Sequence, residues 1–235
     1  MEENYIIVSD LDNLTHTYLN EGQNGICYRV NDEVFKKFKN KPNFLFFLKA
    51  LANIKSKSVI MPNTFVYLNE HNDKNMQGYM MDYVEGQRIE SLDELTDIKE
   101  FVLKLDKLEK EIKDLTTEYS LLVRDIHPNN VIYTPNHDFK LIDCDSDTLN
   151  TADDAYTNYR INMSELGNCI LRLILCNGEY ITDKVNDLYT MCIMRGKCKP
   201  SIVLEEAIKE IETYLKEEIT TLKDFNKGIS LMLKK

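Results

Sequence analysis

The stretch VRDIHPNNVIYTPNHDFKLIDCD, Val123 to Asp145, carries the deciding pattern of this 235-residue chain. Asp125 and Asn130 stand five apart in a proline-containing loop bounded by apolar strands, and Asp143 closes the run Lys140-Leu141-Ile142. A carboxylate in such a loop can accept the proton of an attacking hydroxyl, while a second carboxylate and an amide oxygen offer hard ligands to Mg²⁺. Asp and Asn also cap turns in plain hairpin loops. What surrounds the stretch therefore decides its meaning.

Upstream, Thr15 to Lys39 alternates around two glycines and an Asn31-Asp32 turn, which predicts two or three antiparallel strands. Pro42 opens a helix with apolar positions Phe44, Phe47, Leu48, Leu51 and Ile54. Thr64–Leu68 and Gln77–Val84 are β-rich runs separated by a polar loop. Downstream, Leu92–Thr117 reads as a charged amphipathic helix, and the chain is helical from Ile161 onward. Asn177-Gly178 ends one helix, Pro200 separates the next pair, and Val203–Glu218 has helical periodicity. The expectation is an α+β chain of two lobes: residues 1–83, antiparallel β with one helix, and residues 84–235, mainly helical.

The central stretch resembles the catalytic loop and metal-binding Asp of the protein-kinase-like superfamily, including the separation of 18 residues between Asp125 and Asp143. Three further segments match the family in order. Asn20-Glu21-Gly22-Gln23-Asn24-Gly25-Ile26-Cys27 aligns with the glycine-rich loop, with Asn20 and Cys27 replacing its first glycine and its valine. Met80-Met81-Asp82-Tyr83-Val84-Glu85-Gly86 looks like the hinge between lobes. Asn162-Met163-Ser164-Glu165-Leu166-Gly167 resembles the start of the buried central helix, with Asn162 where the family usually has Asp. In the strand Glu33–Phe38, side-chain alternation places Val34 and Lys36 on one face and favours Lys36 over Lys37 as the phosphate-pairing lysine.

The resemblance implies an ATP- and Mg²⁺-dependent phosphotransferase, a kinase acting on a hydroxyl. Asp125 would serve as base and Lys36 would grip the phosphates. Gly22, Gly25, Val34, Met81, Asp82 and Val84 would line the nucleotide site, and Asn130 and Asp143 would hold the metal. The leading acceptor is a protein Ser/Thr hydroxyl. His127-Pro128, as in aminoglycoside and choline phosphotransferases, points instead to a small molecule. So does the span of only nineteen residues from Asp143 to Asn162, which leaves no room for a long phosphorylation-gated segment.

Two departures from the family favour a further alternative, a nucleotide-binding module without catalysis. No Asp or Glu occurs between Glu33 and Glu70, so the helix lacks the glutamate that pairs with the lysine. Asp143-Cys144-Asp145 replaces Asp-Phe-Gly, and Asp145 is either a further Mg²⁺ ligand or a turn residue. Arg124 is expected to pair with Asp143, Asp145, Asp147 or Asp153, and His127 to position the loop as a hydrogen-bond donor.

The composition agrees with a globular, well-packed chain: 43% hydrophobic, 29% charged. A formal net charge of -10 makes nucleic acid an improbable partner. Residues 1–83 hold 9 basic and 10 acidic side chains and residues 84–235 hold 20 and 29, so the acidity belongs to the second lobe. The six cysteines contain no C-x-x-C pair and read as buried free thiols. No window approaches the ~18 apolar residues of a membrane span, and the expected location is cytoplasmic.

Overall fold

The computed structural model describes residues 3–40, 45–143, 146–175 and 182–232. The chain divides into two compact units, Met1–Val84 and Glu85–Lys235. In the first unit the period-two runs form one six-stranded sheet. Its strands are β1 (Tyr5–Val8), β2 (Thr17–Glu21), β3 (Gly25–Val30), β4 (Glu33–Phe38), β5 (Thr64–Leu68) and β6 (Met76–Asp82), with a seven-residue helix, α1 (Leu45–Leu51), between β4 and β5. The strand order is β1-β5-β6-β4-β3-β2. Asn31, at φ 57°, makes the tight β3–β4 turn, as its tolerance of left-handed backbone allows.

The expectation of a purely antiparallel sheet is corrected at one edge. β1 runs parallel to β5, with Tyr5 opposite Phe65 and Val8 opposite Leu68. Four apolar residues carry too little periodicity to declare a partner sixty positions away. The helix proposed after Pro42 is present as α1, although Pro42 and Phe44 lie outside the described residues.

Alternation gives the sheet two distinct faces. Phe35, Val66 and Met80 pack with Leu14 into a buried cluster flanked by Val8, Leu11, Tyr28 and Val30. The opposite face carries Val34, Lys36, Tyr79 and Met81, because directly paired residues of antiparallel strands share a face. α1 is tied to this unit by Lys49, whose ammonium meets Glu3 at 2.8 Å and Asp73 at 2.7 Å.

The second unit opens with β7 (Gln87–Arg88), which pairs with β9 (Val131–Tyr133), itself paired with β10 (Phe139–Leu141). A second small ribbon joins β8 (Leu121–Leu122) to β11 (Thr148–Leu149). Its helices are α2 (Ile98–Tyr119), α3 (Ala155–Ile174), α4 (Asp183–Arg195), α5 (Pro200–Leu215) and α6 (Leu222–Met232). α2 begins at Ile98 rather than Leu92, because the Asp97 carboxylate accepts the first free N–H groups, from Lys99 and Glu100. Likewise α3 begins at Ala155, six residues before Ile161, where Asp154 accepts from Thr157 N. Pro200 occupies the first turn of α5, where its missing N–H costs nothing. Asn177-Gly178, proposed as a helix end, lies outside the described residues.

The buried side of α2 runs through Ile98, Phe101, Val102, Leu105, Leu108, Ile112 and Leu115, the three- and four-residue spacing of one helix face. Glu109 interrupts it. Its buried carboxylate reaches the first turn of α5, accepting from Ser201 N at 2.7 Å and Ser201 Oγ at 2.5 Å, with Lys199 Nζ 3.6 Å away. No helix among the described residues is long and apolar enough to cross a membrane.

Candidate functional site

The loop between β8 and β9 is fixed from beneath by α3. Asn162, fully buried, accepts from Val123 N at 2.9 Å through Oδ1 and donates through Nδ2 to Leu121 O at 2.9 Å and Thr116 Oγ1 at 2.8 Å. This explains an amide where the resemblance expects Asp: a carboxylate could accept from Val123 but would face the Leu121 carbonyl with no proton to offer. One turn earlier on α3, Asn158 donates to Asn150 O at 2.7 Å and accepts from Asn150 Nδ2 at 2.9 Å, holding the returning strand. Sequence reasoning missed this pair. Two asparagines four apart on the apolar side of a helix were the available signal.

Within the loop, Asn130 Nδ2 donates to Asp125 O at 3.1 Å, with Asp125 Oδ2 3.4 Å away. The amide nitrogen is thereby turned inward. Asn130 Oδ1 has no partner among the described residues and remains available as a hard oxygen ligand. Val131 pairs with Leu141, and Asn130 O accepts from Ile142 N at 2.9 Å, so the ladder delivers Asp143 to the same end of the hairpin as Asn130. The three candidates Asp125, Asn130 and Asp143 thus belong to one local constellation.

Seven described non-glycine residues have positive φ. Ser120 and Lys216 cap helices, and Asn31, Asn69 and His137 lie at strand ends or in loops. The other two are Asp125, at φ 56°, and Asp143, at φ 67°. Such backbone costs energy that the surrounding hydrogen bonds must offset, and strain of this kind gathers at functional sites.

Two neighbours are corrected in detail. His127 positions the loop as an acceptor rather than a donor, since its Nδ1 takes Asn129 N–H at 3.3 Å, which leaves Nε2 as the protonated nitrogen. Arg124 was expected to ion-pair with a nearby Asp. Its main-chain N–H, not its guanidinium, meets Asp147 Oδ1 at 2.7 Å, and the side chain is exposed. Asp145 and Cys144 lie outside the described residues.

A cavity of about 370 Å³ opens behind the loop, between Ile126-His127-Pro128 and the α3 residues Asn168, Cys169, Arg172 and Leu173. Burial pushes the Cys169 thiol up to about 12, so it stays neutral there. Cys192 and Cys198 are likewise buried free thiols and Cys27 is half-buried, while Cys176 lies outside the described residues.

In the first unit, Gly25, Cys27, Val34, Lys36 and Met81 fall on one face. Cys27 pairs with Lys36, Val34 with Met81, and Gly25 lies two residues from Cys27 on the same strand. Lys36 is only 3% exposed, whereas Lys37 is half-buried on the other face. Gly25 is required sterically: a Cβ there would lie 2.7 Å from Lys37 O and 3.2 Å from Lys36 Cγ. Gly22 has open space around it, and its N–H donates to Gly25 O at 2.9 Å. Asp82 is exposed beside half-buried Val84, and Tyr83 between them is held by Asp32 O at 3.0 Å and by Arg29 stacked 3.7 Å from its ring centroid.

No family model matches the chain. No curated protein matches it either.

Proposed function

We propose that the chain is an ATP- and Mg²⁺-dependent phosphotransferase of protein-kinase-like fold that transfers the γ-phosphate to a hydroxyl. The observation that carries this reading is the loop constellation: two aspartates in left-handed backbone with Asn130 between them, its amide nitrogen tied to Asp125 and its oxygen open. Asp125 takes the hydroxyl proton as the acceptor oxygen bonds to phosphorus and the bond to the ADP oxygen breaks, its electron pair leaving on ADP.

Among the described residues no three His, Cys, Asp or Glu side chains gather as metal ligands. A Mg²⁺ ion here would rest on Asn130 and Asp143 and complete its shell with phosphate oxygens and water, its usual habit with nucleotides. Bound Mg-ATP supplies the phosphoryl group and neutralises the charge that develops on it. Lys36, buried on the face that also carries Val34 and Met81, would hold the phosphates. That face suits a nucleotide in having an apolar floor beside the buried Lys36.

A protein Ser/Thr hydroxyl leads as acceptor on sequence grounds. The cavity at His127-Pro128 favours a small molecule, because its volume falls within the ~300–1,000 Å³ of small-ligand sites.

The test incubates the full chain with γ-labelled ATP and Mg²⁺, alone, with generic protein substrates and with a panel of hydroxyl metabolites. Label should move, and Asp125→Ala should slow its transfer by roughly 10²–10⁴-fold. A Mg-ATP-dependent rise in melting temperature with no label transferred anywhere would leave a nucleotide-binding module in place of the enzyme.

A further inference from the structure

The cavity behind the loop carries information about the acceptor, because Ile126 and His127, which line it, directly follow Asp125. Ile126, Pro128 and Leu173 are apolar, and the neutral Cys169 thiol adds to that surface. Asn168 donates its amide nitrogen to Ser164 O at 2.9 Å, within its own helix. Arg172 is exposed and lines the cavity, and its guanidinium has no hydrogen-bond or ion-pair partner among the described residues. His127 lines it as well, its Nδ1 accepting from Asn129 N–H.

Among the described residues no acidic side chain lines the cavity, although acidic residues outnumber basic ones 29 to 20 in residues 84–235. A guanidinium at a cavity whose described lining holds no carboxylate favours an anion, and its planar fork matches a carboxylate with two parallel hydrogen bonds. A phosphate dianion would call for more than one cation, so the single arginine fits a monoanion better.

We propose that this cavity is the acceptor subsite and takes a small hydroxy acid, its apolar body against Ile126, Pro128 and Leu173 and its carboxylate on Arg172. The assignment as acceptor rests on the reading of Asp125 as the base.

The experiment uses the full chain and matched probes: mandelate against mandelamide, and N-acetyltyrosine against N-acetyltyrosinamide. Binding is followed by ligand-observed NMR, and label transfer from ATP is followed in parallel. The acids should bind about tenfold or more tightly than their amides, the margin of a charge-assisted hydrogen bond. Arg172→Ala should erase that preference without weakening the amides, and Arg172→Lys should restore part of it. Leu173→Trp, which fills the cavity, should remove both. Because Arg172 is exposed, its variants should keep the parent melting temperature.

Equal binding of acid and amide, a preference that survives Arg172→Ala, or no binding up to the solubility limit overturns the subsite. Label transfer indifferent to Arg172 and to the acid group overturns the subsite alone and leaves the phosphotransferase standing. Arg172-dependent acid binding with no transfer to any compound overturns the phosphotransferase alone, and the cavity stands as a hydroxy-acid site.

Discussion

Asn162 shows how much one amide can decide. It satisfies Val123 N, Leu121 O and Thr116 Oγ1 at once, with no access to water. Asn162→Ala breaks all three bonds and strands Val123 N, while Thr116 Oγ1 keeps Ile112 O at 2.6 Å and Leu121 O at 3.3 Å, and should cost about 1–3 kcal/mol in urea unfolding, the range for a buried polar group left unpaired. Asn162→Asp should lose a comparable amount, because a buried carboxylate would face the Leu121 carbonyl. The glycines give a sharper contrast. Gly25→Ala must displace the Lys37 carbonyl and the Lys36 side chain and should lower stability by roughly 1–3 kcal/mol, a typical overpacking cost. Gly22→Ala meets nothing closer than 4.0 Å and should leave the melting temperature within a degree or two, so any loss of Mg-ATP binding in that variant reports on the ligand. That Lys36 and Lys37 lie on opposite faces of the sheet was legible in the sequence, since alternation alone separates them; that Lys36 is the buried one comes from the structure. The cavity beside His127 was not, because it combines a loop with residues some forty positions away on α3.

At the scale of elements, the clasp between α2 and α5 makes stability depend on pH. Burial dominates at Glu109 and raises its pKa from 4.5 to about 7, against the opposing pull of Ser201 and Lys199. The native state therefore holds this proton more tightly than the unfolded chain does. Between pH 4.5 and about 7 folding takes up a proton, and the stabilisation present below pH 4.5 is lost as pH rises through 7. The loss is at most about 3 kcal/mol. Denaturation of the parent and of Glu109→Gln across this range should give a difference that shrinks in the parent's disfavour as pH rises, because the amide keeps an acceptor for Ser201 N but does not titrate. The elements themselves were mostly readable. Strands β2 to β6 follow from alternation and turn residues, and the face of α2 from its spacing. Their boundaries were not, because Asp97 and Asp154 stop the helices by capping, and capping is a local hydrogen bond that periodicity does not register.

At the scale of the molecule, each unit has its own apolar interior. Phe101, Leu105, Met163, Leu166, Ile170, Val203, Leu204 and Phe225 are all buried within the second. Residues 85–235 expressed alone should keep a helical far-UV spectrum and a cooperative melt; a spectrum of unfolded chain would show that this interior is insufficient. The first unit holds a different lesson, in its edge strand. β1 meets β5 across sixty positions of sequence, whereas every other strand of that sheet pairs with a neighbour in the chain or with β6. Long-range parallel pairing is slow to form, so β1 should be among the last pieces to join. Until it does, β5 presents Phe65, Val66 and Tyr67 along an open rim, a row of bare N–H and C=O groups that a strand from another molecule could occupy. The short run from Tyr5 to Val8 thus works as a late-closing cover, and the interval before it closes is when newly made chains are most exposed to one another.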